Sequence, residues 1–157
     1  MKTFIDSFEQ KFQSLHARSC EIIKKTPLEK LYWQAFEKDA LFPVNSCGEY
    51  ILRSAGKIEQ TFGGITTKLW DDPFEWTLPE QLSTNKLILQ YLDEVEATRQ
   101  RGFTFFKNDE DLRKELPAPV KIVSLFELLL ETLTVAENYQ GRAIAIFRLF
   151  SEEKLIS

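Results

Sequence analysis

Apolar side chains recur every three or four residues along most of this chain, and this spacing constrains the fold more than any other feature of the sequence. In the first such segment the apolar stripe consists of Phe4, Phe8, Phe12, Leu15, Ile22 and Ile23. Residues with this spacing share one face of a helix, so the stripe predicts an amphipathic helix from about Thr3 to Lys24. Pro27 interrupts it, and a short helical continuation is predicted from there to Pro43.

A second amphipathic helix is predicted after residue 45. Ser46 and Glu49 have the spacing of a capping box, in which the hydroxyl accepts an orphan backbone N–H and the carboxylate reaches back to the cap. The apolar face of this helix consists of Ile51, Leu52, Ala55, Ile58 and Phe62. Gly63 and Gly64 follow, and they predict its end because glycine is favoured just beyond a helix C-terminus.

Two more helices are predicted in the second half of the chain. The third begins near Ser83 or Thr84 and ends at about residues 101–102. The fourth begins at a second capping box, formed by Ser124 and Glu127. Its apolar residues are Leu125, Leu128, Leu129, Leu133, Ala136, Ala143, Ile144 and Phe147.

The connections between these segments lack clear periodicity. Residues 65–81 are predicted to form an ordered crossover loop held by Trp70, Phe74 and Trp76, and residues 109–116 a helical turn. No strand-like alternation of comparable length is present. The sequence therefore predicts an all-α fold, a four-helix bundle with long crossover connections, as a single domain spanning residues 1–157.

Charge and composition exclude several functional classes. The net charge of −4 and the pI near 5.2 lack the basic footprint of a nucleic-acid-binding protein. No uncharged apolar run reaches the roughly 18 residues of a membrane-spanning helix. The first residues lack the apolar core of a signal peptide, so we expect a cytoplasmic protein. Cys20 and Cys47 are then expected to be reduced thiols.

Two segments carry a family resemblance. Residues 46–55, with the sequence SCGEYILRSA, resemble the second-helix motif of the DinB-like (damage-inducible, YfiT-type) superfamily. Residues 137–140, followed by Ile144 and Arg148, resemble that family's fourth-helix motif. The order of the elements is also similar, and the resemblance covers nearly the whole chain. It implies the DinB/YfiT-like four-helix bundle and a homodimer.

The resemblance also shows which metal ligands are absent. Metal-binding members hold a divalent cation with one histidine on the second helix and two on the fourth, and these positions fall at Arg53, Ala136 and Gln140. A further position that is often histidine falls at Thr132. None of the four supplies an imidazole, and the permanent charge of arginine repels a cation. We therefore expect no metal and no cofactor at this place.

A small anionic ligand is one hypothesis for the vacated position. Thr132, Ala136 and Gln140 share one helical face, and Arg53 is predicted to point toward it. The candidate ligand-binding residues are Arg53, Thr132, Ala136, Gln140, Glu49, Glu131 and Glu137. The alternative is that Arg53 replaces the metal as an electrostatic cross-link to a nearby carboxylate, or extends outward to solvent. We favour this alternative, because a partly buried arginine is commonly paired for structural reasons.

Other residues that could carry chemistry have simpler interpretations. Cys47 lies in the first turn of a helix, where the dipole stabilises a thiolate, but a buried inert thiol is favoured. His16 is alone in the sequence, and no partner can be named for it as a general base. The acidic runs at residues 71–72 and 109–111 lack the pattern of an EF-hand loop and are interpreted as solvated charges and turn formers.

Three functions remain open at the level of the sequence. We favour a non-catalytic or small-ligand-binding DinB-like protein without the usual metal site. One alternative is a metal-independent or thiol-dependent transferase or hydrolase of small molecules. The other is a protein-interaction module that uses the aromatic loop from Trp70 to Trp76.

Overall fold

The computed structural model describes residues 1–37, 44–71 and 79–156. The four helices are α1 (Thr3–Lys25), α2 (Cys47–Thr67), α3 (Asn85–Phe103) and α4 (Leu125–Phe150). The predicted all-α four-helix arrangement is therefore confirmed. Among the described helices, none is both long enough and apolar enough to cross a membrane.

The helices pack through the stripes that the sequence displays. α4 packs mainly against α2, and α3 packs against both α1 and α2. An aromatic cluster lies where α1, α2 and α3 meet: the ring centroid of Phe12 is 5.6 Å from that of Phe62 and 6.0 Å from that of Phe103. Each of these rings is at most 6% exposed. Burial of these faces is the main force that holds the bundle together.

Side-chain caps set the start of three helices as the sequence predicts. The Ser46 hydroxyl accepts from the backbone N–H of Glu49 at 3.2 Å, and the Glu49 carboxylate accepts from the Ser46 N–H at 3.3 Å. Thr84 caps α3 and Ser124 caps α4 by accepting from the N–H three residues later. The capping box predicted at Ser124 is only half formed, because the Glu127 carboxylate pairs with Lys121 at 2.9 Å. Each such cap contributes about 1 kcal/mol to stability.

The predicted end of α2 was wrong. Gly63 and Gly64 lie inside the helix, which continues to Thr67 and ends at Lys68 with a left-handed φ of 63°. A Cβ atom at Gly64 would lie 2.3 Å from the Trp70 ring. The glycine is therefore needed for the close approach of an aromatic ring, not for a helix stop.

Three other expectations about the connections need correction. The helical turn predicted at residues 109–116 is present as a short 3-10 helix (Asp109–Arg113), but residues 115–116 belong instead to an antiparallel hairpin of β1 (Glu115–Pro117) and β2 (Ile122–Ser124). A single 3-10 turn (Leu28–Lys30) stands in place of the predicted helical continuation. The predicted crossover loop begins three residues late, because residues 65–67 belong to α2. Pro43, Phe74 and Trp76 lie outside the described residues.

A buried charge joins α1 to α3. The side chain of Arg99 is fully buried, and its guanidinium pairs with Glu96 on its own helix and with Glu9 on α1 at 3.3 Å. It also lies 5.2 Å from the centroid of the Phe103 ring. Two carboxylates and an aromatic face together replace the water that the guanidinium loses on burial.

Candidate functional site

Three of the five predicted site residues on α4 lie together on one buried face. Thr132, Ala136 and Gln140 each have 0% exposure. We call these three residues the predicted face. Their common orientation agrees with the spacing in the sequence, but protein groups, rather than an open cleft, surround them.

Gln140 is bound to α1 through both ends of its amide. Its Nε2 donates to the backbone oxygen of Leu15 at 2.7 Å and to the hydroxyl of Ser19 at 2.8 Å. Its Oε1 accepts from Nη1 of Arg18 at 2.7 Å. Both amide hydrogens and the carbonyl oxygen thus have protein partners, so the side chain acts as a structural cross-link.

The other two positions of the predicted face bind α2. The Ser54 hydroxyl donates to the backbone oxygen of Ala136 at 2.8 Å. The hydroxyl of Thr132 donates to the Leu128 carbonyl at 2.8 Å and lies 2.6 Å from the hydroxyl of Thr61. Since the Thr132 hydroxyl already donates its hydrogen to the Leu128 carbonyl, the Thr61 hydroxyl is the donor in the bond between the two threonines. These bonds hold α2 and α4 together at two of the positions that the sequence resemblance compares with metal ligands.

The predicted charged residues differ in burial. Arg53 is half-buried on α2, beside Ser54. Glu49 serves the α2 cap and accepts from Nε2 of Gln34 at 2.9 Å. Glu131 is exposed, and Glu137 is half-buried.

Arg18 of α1 contacts both Gln140 and Glu137. Its Nη1 lies 3.5 Å from the Glu137 carboxylate. The sequence pattern does not single out Arg18. Its only signal is its position one turn after Leu15, on the flank of the α1 stripe, which does not indicate a partner on α4.

A second polar cluster joins α1 to α3, and it overturns the expectation that His16 has no partner. Nε2 of His16 lies 3.6 Å from Sγ of Cys20 and 3.5 Å from a carboxylate oxygen of Asp93. We call these three residues the α1–α3 cluster. The spacing of four between His16 and Cys20 is visible in the sequence, whereas the contribution of α3 depends on helix packing.

The α1–α3 cluster lines a surface cavity of about 460 Å³. Cys20 is 9% exposed, while the side chains of His16 and Asp93 are 23% and 75% exposed. Burial, followed by the negative charge of Asp93, raises the pKa of the Cys20 thiol to about 11, and Lys24 opposes this shift. The thiol is therefore protonated near neutral pH when no cation is bound.

Cys47 lies elsewhere, with 0% exposure, near the N-terminus of α2. Burial raises the pKa of its thiol to about 12, although a hydrogen bond with Thr26 works in the opposite direction. Desolvation thus outweighs this hydrogen bond. This agrees with the prediction that Cys47 is a buried, inert thiol.

A third feature is an apolar groove of about 490 Å³ on the outer side of α2 and α4, which we call the Arg142 groove. It is lined by Phe36, Val44, Tyr50, Arg142, Ala145, Ile146 and Leu149. The guanidinium carbon of Arg142 lies 5.9 Å and 5.6 Å from the ring centroids of Tyr50 and Tyr139. These rings stack on each other at 6.3 Å. The groove thus combines apolar walls with one exposed, aromatic-supported cation.

Of the predicted aromatic loop, only its first residues are described. Trp70 is half-buried and packs against Gly64 of α2. The backbone oxygen of Trp70 accepts from Nε2 of Gln60 at 3.3 Å. Trp70 is therefore an anchor for the chain after α2, while Phe74 and Trp76 lie outside the described residues.

The acidic run at residues 109–111 has more definite roles than solvated charge. The Asp109 carboxylate accepts from the backbone N–H groups of Phe4 and Ile5 at 3.1 Å each. Asp111 accepts from the N–H groups of Lys107 and Asn108 and pairs with Lys114. These contacts lower the pKa of Asp111 to about 2, with the Lys114 bond as the largest cause. Both carboxylates therefore have structural roles.

Comparisons of the chain with protein-family models, with curated proteins and with solved structures found no match. The resemblance to the DinB-like superfamily thus stays a prediction from the motifs on α2 and α4.

Proposed function

We propose that this chain is a DinB-like bundle protein that binds a small anionic amphiphile and carries no catalytic metal at the family's usual position. The observation that carries the proposal is the Arg142 groove. Its volume lies within the range of about 300–1,000 Å³ that is typical of small-ligand sites. One cation beside an otherwise apolar surface matches a ligand with an acyl chain and a single carboxylate.

The filled interior supports a binding protein rather than an enzyme of the metal-dependent kind. At the predicted face, Gln140 bonds to α1, while Thr132 and the Ala136 backbone bond to α2. The raised pKa values of Cys20 and Cys47 argue against a thiolate nucleophile in either place. Both observations favour the non-catalytic reading over the thiol-dependent alternative.

The ligand's carboxylate would pair with Arg142, which moves the anion hypothesis from the predicted Arg53 to a different residue. A hydrogen bond to a charged group contributes about 1.5–3 kcal/mol, which corresponds to at least about a tenfold change in Kd. Each buried methylene contributes about 0.8 kcal/mol. We therefore expect affinity to rise with chain length and to require the anionic end.

Isothermal titration calorimetry with octanoate, decanoate and decanol tests the proposal. Decanoate should bind more tightly than octanoate, and Arg142→Gln should weaken decanoate at least about tenfold while leaving decanol nearly unchanged. Arg148→Gln is the matched control, because Arg148 is also exposed on α4 but does not line the groove. Equal binding by both arginine variants would contradict the proposal.

A second copy of the chain is the competing occupant of the groove, since the resemblance implies a homodimer. Sedimentation velocity of the wild type and Leu149→Glu distinguishes the two. A ligand-binding groove predicts that the charge abolishes decanoate binding without changing the sedimentation coefficient. If Leu149→Glu instead converts a dimer into a monomer, the groove is a subunit interface and the proposal is wrong.

A further inference from the structure

Two of the three ligand-to-ligand separations in the α1–α3 cluster match those of a tetrahedral metal site. Zinc–ligand distances of about 2.3 Å to sulfur and about 2.0–2.2 Å to nitrogen and oxygen give ligand–ligand separations of about 3.4–3.6 Å. The two separations from Nε2 of His16 are 3.6 Å to Cys20 Sγ and 3.5 Å to the Asp93 carboxylate. The three ligand atoms all lie within 4.8 Å of one another. The exposed Asp93 side chain can close the remaining edge by a small rotation.

The three donors also suit one class of cation. Thiolate and imidazole select zinc and similar borderline-soft metals over magnesium and calcium. A carboxylate oxygen is also a normal ligand in zinc sites. His16 and Cys20 are four residues apart on α1, so consecutive turns hold both donors on one helical face. Sγ of Cys20 lies 3.9 Å from Nδ1 of His16 as well as 3.6 Å from Nε2, so the imidazole ring must turn to direct Nε2 at a metal shared with the sulfur. The fixed positions of the two residues on α1 distinguish the cluster from a set of mobile surface carboxylates.

We propose that His16, Cys20 and Asp93 bind one zinc ion or a similar divalent transition metal between α1 and α3. His16 binds through Nε2, so Nδ1 carries the ring proton. The Cys20 thiol binds as thiolate, and its proton passes to the buffer as the metal–sulfur bond forms. The fourth position faces the cavity and takes water, because His16, Cys20 and Asp93 are the only ligand-bearing side chains that come together here among the described residues.

The charges around the cluster come from both helices and are mixed in sign. From α1, Glu21, Lys24 and Lys25 line the same cavity. The Lys25 ammonium is paired with Glu21 at 3.3 Å and donates to the backbone oxygen of Lys154 at 2.7 Å, so its charge is partly neutralised. From α3, Glu96 is occupied by Arg99. Lys24 is therefore the main opposing charge, and Lys24→Gln should tighten metal binding.

Such a site differs from that of metal-binding DinB-like members in location and in ligands. It would tie α1 to α3, whereas the family's ligands come from the second and fourth helices. The inference is also independent of the Arg142 groove, with which it shares no residue. Either proposal can therefore fail without the other.

Cobalt(II) titration of the untagged, reduced protein tests the site, because a thiolate ligand produces an intense charge-transfer band and tetrahedral geometry produces strong visible bands. We expect both bands to saturate at one equivalent and to disappear when one equivalent of zinc is added. A wild-type protein that shows no thiolate band would overturn the proposal.

Matched variants assign the ligands. Cys20→Ser should abolish the charge-transfer band and weaken zinc binding at least about tenfold, and Asp93→Asn should weaken it while keeping the band. Cys47→Ser is the control, because it removes the other thiol and should leave both spectra unchanged. Circular dichroism verifies that each variant is folded. Zinc affinity that is the same in Cys20→Ser and wild type would contradict the assignment.

Discussion

At the residue scale, Gln140 shows how a position expected to contact a ligand stabilises the interior instead. Its amide joins α4 to the Leu15 carbonyl, the Ser19 hydroxyl and Arg18. We expect Gln140→Ala to lower the free energy of unfolding by about 2 kcal/mol, because buried polar groups on α1 lose their partner. Urea denaturation measures this change. The control is Asn138→Ala, an exposed amide on the same helix, which should change stability by less than about 0.5 kcal/mol.

Equal effects of these two alanine substitutions would show that the amide of Gln140 contributes nothing beyond an exposed one. If Gln140→Ala instead abolished decanoate binding without lowering the free energy of unfolding, the ligand-binding interpretation of the predicted face would be restored.

Cys47 gives a pH-dependent prediction at the same scale. Burial raises the pKa of its thiol to about 12 in the folded protein, whereas an exposed thiol titrates near pH 8.5. The unfolded state therefore loses this proton first as the pH rises. The stability that this residue contributes is complete below about pH 8.5 and is lost progressively toward pH 12. At pH 10 the loss amounts to about 1–2 kcal/mol.

Urea denaturation of wild type and Cys47→Ala at pH 7.5 and pH 10 isolates this effect from the titration of other groups. The difference in unfolding free energy between the two proteins should shrink by about 1–2 kcal/mol at the higher pH. A difference that stays constant would mean that the thiol is not desolvated in the folded state.

At the element scale, the same substitution should have opposite effects in α4 and α3. A Cβ atom at Gly141, inside α4, would meet nothing within 4 Å, so Gly141→Ala should raise stability by about 0.5–1 kcal/mol through helix propensity. At Gly102 the added Cβ would lie 2.5 Å from the buried Phe62 ring. Gly102→Ala should therefore lower stability by about 1–3 kcal/mol. Denaturant midpoints of both variants, compared with the wild type, measure whether stability rises or falls. A rise in stability in both variants would contradict the close packing at Gly102.

Helix starts could be predicted from the sequence because their causes lie within one turn. The side chains of Ser46, Thr84 and Ser124 each accept a hydrogen bond from the backbone N–H of the residue three positions later. The end of α2 could not be predicted, because Gly64 serves the approach of Trp70, which only folding brings about. The hairpin was also missed, since three-residue strands are too short to show a two-residue period.

At the scale of the whole molecule, one part of the candidate site could be predicted from the sequence and another part could not. The shared face of Thr132, Ala136 and Gln140 follows from helical spacing and could be predicted. Its closure by groups from α1 and α2 could not, because the distance between helices decides whether such a face is a cleft or a core. For the same reason the sequence shows the His16–Cys20 pair on α1 but not the position of Asp93 beside it.

The last prediction concerns a bond between distant parts of the chain. α1 has no side-chain cap of its own at Lys2. The Asp109 carboxylate supplies one by accepting from the N–H groups of Phe4 and Ile5, 105 and 104 residues away. Asp109→Ala should cost about 1 kcal/mol and speed hydrogen exchange at these two amides, because an end of the helix becomes uncapped. Glu110→Ala is the control, since Glu110 is exposed and pairs only weakly with the exposed Arg113 at 3.7 Å. Equal exchange rates in the two variants would show that α1 does not depend on this carboxylate, and that the connection before the hairpin merely lies beside α1 without holding it.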